Sequence, residues 1–442
     1  MTKGGETRPT VALPAIVALA AAALMLPVAA SASTAYPYLE PTGSMLTTRA
    51  EPMAAPLPGG DVLVAGGWQE APSPYHGRDT RGLDTAEIYD SATGTFAPTG
   101  QMTQQRFGAA IAPLLDGRVL IAGGFPAPEG DSAMASAELY DPATGVFTPT
   151  GAMTVARHMP AAALLPDGRI LLVGGRPIGS NVAHPIPPET FARAEIYDPT
   201  TGTFSPTGSM ATPRWGPGAA SLPDGRVLVA GGYSDEEMPS SAEIFDPAPE
   251  TFSPTGGMSS PESGDAANLS DGTVLFVGDH SIQEYDPIAA TFSDSVLSSA
   301  PHSWRTALAP LPGGRALLAG GVKGGDPTDD TEIYVSAPSP TSPGLDFGTV
   351  PPLKTSAPKS LTVTNLGAQD LTIDGVSLGP AATEFAIAND GCAGSSLAFG
   401  ESCNLLVTVT PVTYEPLIAS IEVTDNSPSS PQSFPLAANA LK

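Results

Sequence analysis

Four arginines recur at one register. Arg49, Arg106, Arg157 and Arg214 each lie ten residues before the first residue of an Asp-Gly or Gly-Gly turn. A guanidinium offers a planar fork that pairs with carboxylates and stacks on aromatic rings. Phe107, His158 and Trp215 follow three of these arginines directly, and Trp304-Arg305 repeats the theme in a shifted register. Arg49, Arg106, Arg157, Arg214, Arg305, Phe107, His158, Trp215 and Trp304 are therefore the candidate ligand-binding residues, suited to an acidic peptide or acidic sugar. A Glu recurs as regularly (Glu87, Glu138, Glu195, Glu243), so pairing of each Arg with such a Glu, locking the structure together, is the competing expectation. The pattern stops at Pro261-Glu262.

Signals for catalysis are weak. The five histidines (His76, His158, His184, His280, His302) fall in or near loops without the short spacing that focuses metal ligands. No Gly-x-Ser-x-Gly elbow or paired-carboxylate motif stands out. No catalytic residue, metal or cofactor is expected. With 45 acidic against 19 basic residues and a net charge of -26, nucleic acid is a poor partner, because phosphate binding needs clustered Lys and Arg.

The elements that position these residues are strands. The chain of 442 residues contains 48 Gly and 49 Pro, which both break helix interiors. Its central part is self-similar. LPGGDVLVAGG, LLDGRVLIAGG, LPDGRILLVGG and LPDGRVLVAGG end in glycine doublets at Gly67, Gly124, Gly175 and Gly232. Looser copies end at Gly278-Asp279 and Gly320-Gly321. Each copy holds a tight-hairpin signal and a continuous apolar run. A strand with Glu, an aliphatic and an aromatic follows (Glu87-Ile88-Tyr89 in the first copy), then a strand opened by Phe seven residues after that aromatic. The doublets start 42 to 57 residues apart, the length of a four-stranded propeller blade.

The glycine doublet followed by spaced aromatics resembles the kelch repeat, with Phe where that repeat usually has Trp. The resemblance covers residues 38–335 and implies a six-bladed β-propeller. Six doublets are followed by five Phe-led outer strands. Leu39-Glu40-Pro41-Thr42-Gly43-Ser44-Met45 matches Phe204-Ser205-Pro206-Thr207-Gly208-Ser209-Met210, so the N-terminal segment is expected to supply the last outer strand and close the ring. Some kelch propellers are copper-radical oxidases with a Tyr–Cys cross-link. This propeller has no Cys, so that cofactor cannot form, and the Ser-x-Asp-x-Gly-x-x-Trp boxes of sialidases are missing. Loops after the doublets vary in length, 19 residues before Glu87 and Glu195 but 10 before Glu243. They open on the face where function is expected.

Residues 336–343 form a Pro/Ser-rich stretch expected to be a linker. From 344 to 442 the runs largely alternate apolar and polar residues, as in a small β-sandwich. Cys392-Ala393-Gly394, Leu397, Gly400 and Cys403 resemble a segment of the abnormal-spindle/hydin type of immunoglobulin-like domain, whose members look like spacer or interaction modules. Both cysteines of the chain fall in it, and an exported chain meets an oxidising compartment, so a Cys392–Cys403 disulfide is expected.

At the other end, Lys3 and Arg8 precede an apolar run from Val11 to Leu26 and Ala29-Ala30-Ser31-Ala32. This suggests a secretory signal peptide over residues 1–32, with an uncleaved anchor as the alternative. The whole reading is an all-β exported binding protein, a kelch-type propeller followed by an immunoglobulin-like sandwich, extracellular, at the cell surface or periplasmic. Its expected partner is an extracellular protein or glycan, with an acidic character suggested by the arginines. The alternative is a propeller hydrolase or lyase without a recognisable motif.

Overall fold

The computed structural model describes residues 34–73, 77–126, 132–177, 192–234, 237–294 and 305–440. The expected signal peptide, Trp304, and His76, His184 and His302 lie outside them. Six four-stranded antiparallel sheets follow one another along the chain. The first, blade one, comprises Met53–Pro56, Val62–Ala65, Thr85–Asp90 and Thr95–Gln101. Blade six comprises Ala307–Leu311, Arg315–Ala319 and Thr331–Val335, and its outermost strand is Tyr38–Pro41 from the front of the chain. Tyr38 pairs with Val335 and Pro41 with Glu332, so the ring closes as expected.

Repetition in sequence becomes repetition in packing. The apolar runs, Val62–Ala65 among them, are fully buried between neighbouring blades. The aromatics seven residues apart face each other across adjacent strands, Tyr89 with Phe96 and Tyr140 with Phe147, at centroid distances of 5.0 and 4.7 Å. Both Tyr hydroxyls then meet a Thr at the outer edge of the preceding blade: Tyr89 meets Thr42, just past its strand, and Tyr140 meets Thr99, both at 2.8 Å. The glycine doublet lets two blades touch. A Cβ on Gly66 would sit 2.3 Å from the carbonyl oxygen of Arg106, and both Gly66 and Gly67 have positive φ.

The C-terminal sandwich packs a four-stranded sheet on a five-stranded one, around a core that includes Leu361, Leu405, Ile421 and Leu436. Cys392 and Cys403 form the expected disulfide inside this core. The expected linker is corrected. Pro340–Thr341 is already an edge strand pairing with Thr364 and Asn365, and Ser336 bonds to Gly314 and Ala368. Proline lacks an amide donor but suits an edge strand, so a Pro-rich stretch can belong to a sheet.

Candidate functional site

The recurrent arginines lie just beneath the propeller mouth, and their side chains point into protein. Arg49, Arg106, Arg157 and Arg214 are at most 1% exposed. They pair with Glu87, Glu138, Glu195 and Glu243 at 2.9, 2.9, 3.0 and 3.6 Å. Each guanidinium also donates to the carbonyl of the first doublet glycine of its own blade, Gly66, Gly123, Gly174 or Gly231. The arginine's own carbonyl accepts from the second doublet glycine of the blade before: Gly321, Gly67, Gly124 or Gly175. Each is thus a clamp between two blades. Burial lowers the pKa of all four arginines, against the support of the partner carboxylates. The expectation that they line the mouth is corrected: their side chains are buried against Glu, hydroxyl and backbone partners, and none borders the central pocket.

Blade five replaces both partners of the clamp. Glu262 stands in the arginine's place, its carbonyl accepting from Gly232, and Gln283 stands in the glutamate's. Gln283 keeps the task of receiving a backbone amide, from Ser259 at 3.0 Å, as Glu138 does from Thr103.

Directly above the clamps of blades one to four, the chain entering the blade meets the chain leaving its doublet. The facing pairs are Ala50 and Trp68, Phe107 and Phe125, His158 and Arg176, Trp215 and Tyr233. The expected aromatic platforms are altered by these pairings. Trp215 stacks on Tyr233 at 4.4 Å, and Arg176 lies over its ring at 4.0 Å. Phe107 packs edge-on against Phe125 and His158. His158 is 5% exposed rather than solvated in a loop, whereas His280 is open to solvent.

One residue further along, Glu51, Gly108, Met159, Gly216 and Arg305 adopt positive φ values between 50° and 65°. Such a conformation is uncommon for Glu, Met and Arg. Hydrogen bonds join these positions around the axis. Glu51 donates its amide to Arg305, Gly108 to Glu51, Met159 to Gly108 and Gly216 to Met159, while the Ser263 hydroxyl donates to Gly216. Arg305 donates its amide to the Asp279 carboxylate of blade five at 3.2 Å. This backbone necklace surrounds a pocket of about 150 Å³ on the propeller axis, walled by Ala54, Ala162, Ala266 and other small residues from all six blades.

Of the expected ligand-binding residues, Trp215 and Arg305 border the pocket. Glu51, Tyr233, Asp265 and Asp279 also border it and were not expected. The Arg305 guanidinium is paired with Glu51 Oε1. Glu51 Oε2 lies 3.5 Å from His158 Nε2, close enough for charge attraction, but neither atom forms a hydrogen bond of good geometry. Burial opposes ionisation of Glu51, yet His158 and Arg305 outweigh it and hold the pKa below the usual value. Asp279 accepts the Tyr233 hydroxyl at 3.1 Å, and desolvation, then Asp279, push that tyrosine up to about 12. Asp265 is exposed to the central lumen, which is partly open, yet the blades packed around it leave its carboxyl poorly hydrated. Desolvation pushes it up to about 6, only partly offset by an amide hydrogen bond from Leu308. Among the described residues no group of three or more His, Cys, Asp or Glu is arranged to hold a metal ion.

Fold and site together define an all-β protein with a six-bladed propeller and an immunoglobulin-like module. Residues 341–438 match the family described as HYDIN/CFA65/VesB-like, Ig-like domain. A stretch of 130 residues, 29% of the chain, is 32% identical to an F-box/kelch-repeat protein of Arabidopsis thaliana. It covers 32% of that protein, so the chain spans about a third of the relative's length. The solved structure of YjhT is similar with a TM-score of 0.53 and 13% identity, over 66% of this chain and 96% of the other. That likeness concerns the fold.

Proposed function

We propose that this chain is an exported, non-catalytic binding protein whose propeller mouth recognises a glycan. The observation that carries the reading is the axial pocket ringed by Glu51, Tyr233, Asp265, Asp279 and Arg305, with Trp215 at its edge. Carboxylates, a phenol and a guanidinium around a small concave site match the hydroxyl groups of a sugar ring, and aromatic edges cover its apolar faces. The acidic ligand suggested by four arginines loses its basis once those arginines are clamps. A hydroxyl-rich ligand fits the remaining groups better. The kelch-like relative and the propeller fold favour a binding or scaffold role, and the disulfide is compatible with an extracellular location.

A glycan-array screen of the full chain, followed by calorimetry on the best glycan, tests this. Asp279→Asn is expected to weaken binding at least tenfold with its Tm within about 2 °C of the parent, since one charge-assisted contact contributes that much. An empty array, or equal binding by the variant, overturns the reading.

An enzymatic role rests on one specific observation. Glu51 is held low and Asp265 is pushed up to about 6 in the same pocket, and such separation can divide base and acid roles between two carboxylates. Turnover of any bound glycan, lost in Asp265→Asn, would replace the non-catalytic reading with this one.

A further inference from the structure

The axial pocket gathers more negative charge than its own cation offsets. Among the described residues, three carboxylates border it, Glu51, Asp265 and Asp279, against the one guanidinium of Arg305, which pairs with Glu51. Asp279 accepts from two neutral donors, the Tyr233 hydroxyl and the Arg305 amide. Asp265 receives the Leu308 amide at a long 3.3 Å, which leaves most of its acceptor capacity facing the lumen. A second feature points to the same place. Glu51 is more than nine-tenths buried, borders the pocket, and keeps Oε2 without a hydrogen bond of good geometry. His158 Nε2 meets this oxygen only at 3.5 Å, so the oxygen's acceptor capacity is not filled.

Resting on the glycan reading, we propose that this pocket receives the protonated amine of an unacetylated amino sugar, with the ammonium at Asp265 and ring hydroxyls at Asp279 and Tyr233. An ammonium is a compact charge with three donors and suits a lumen walled by alanines. A guanidinium would need a bidentate carboxylate in a wider space. N-acetylation removes the charge and adds volume, so the acetylated sugar is disfavoured on both counts.

The experiment is calorimetry on the full chain at pH 7 with four probes: a glucosamine tetramer, its fully N-acetylated counterpart, cellotetraose and butylammonium. The glucosamine tetramer is expected to bind at least tenfold tighter than the other two tetramers. Asp265→Asn, which keeps the side-chain shape and the Leu308 bond, is expected to bring the three within twofold. Should that variant fail to fold, Ala266→Val narrows the lumen beside the carboxylate and is expected to remove the same preference. Equal binding of the three tetramers by the parent overturns the amine assignment and leaves the glycan reading standing. A preference that survives in the folded variant overturns the role of Asp265. Binding of butylammonium with no tetramer bound overturns the glycan reading and the amino-sugar assignment together, as does binding of no probe.

Discussion

At Arg106 a single guanidinium contacts Glu138 and the carbonyls of Gly123 and Ser136, while its own carbonyl accepts from Gly67 of the preceding blade. Arg106→Ala removes the guanidinium's bonds, keeps the backbone bond from Gly67, and leaves Glu138 buried without its partner, at a cost of about 3–5 kcal/mol. Thermal unfolding should show a large fall in Tm, while ligand affinity of the folded variant at low temperature should be unchanged because Arg106 does not border the pocket. Asp265 behaves in the opposite way. Its pKa in the folded chain, about 6, lies above the ordinary 3.8. Between these values the folded protein keeps a proton that the unfolded chain has released, so this group's contribution to stability falls as pH rises through that window. Asp265→Asn should therefore raise Tm at pH 7.5, with the gain over the parent shrinking towards pH 4. A difference independent of pH would refute the assignment. The repeated Arg and Glu were legible in sequence because repetition exposes them. Glu51, Asp265 and Asp279 were not, because each occurs once. The available signal was a departure from the repeat: Asp279 occupies a doublet position held elsewhere by glycine, and Glu51 stands where other blades have Gly108 and Gly216.

Among the elements, the closing strand was the most legible, since Leu39-Glu40-Pro41-Thr42 is a copy of an outer strand displaced to the front of the chain. In the structure Leu39 is buried opposite Tyr334, and Met45 joins the core between blades six and one. Deleting Tyr38 to Met45 should expose the edge of Thr331–Val335 and lower the Tm of the whole propeller, because every blade is buried by its neighbours. An unchanged Tm would contradict closure by this strand. The Pro/Ser-rich stretch was read as a linker because prolines suggest chain without a sheet, yet Pro340 sits where no ladder amide is required. The disulfide belongs to this scale as well. It closes a short loop between Cys392 and Cys403, 11 residues apart. Replacing both with Ala should cost the sandwich about 2–4 kcal/mol, read as a lower denaturant midpoint for that module, and free-thiol titration of the unfolded, unreduced parent should find no thiols.

For the molecule as a whole, the sandwich and the propeller meet where the ring closes. Ala35, just before the closing strand, donates its amide to Asn426 at 2.8 Å. Gln369 donates to the carbonyls of Tyr36 and Ser336, at 2.8 and 3.2 Å, and so joins the start of the closing strand to the end of blade six. Ala368 packs against the core between blades six and one, and its amide bonds to Ser336. The fit is close: a Cβ on Gly314 would lie 2.8 Å from Ser336 Oγ and 2.9 Å from the Ala368 amide. The sandwich therefore holds the closing strand from outside the propeller, a coupling that the repeat pattern does not reveal because it joins residues more than 330 positions apart. Gln369→Ala should destabilise the propeller although the residue belongs to the sandwich. Two hydrogen bonds at an exposed site contribute about 0.5–1.5 kcal/mol each. Hydrogen exchange provides the sharper readout, with faster exchange expected at Leu39 and Glu40 and unchanged protection in blade three. Unchanged exchange at the closing strand would mean that the sandwich is carried by the ring without supporting it.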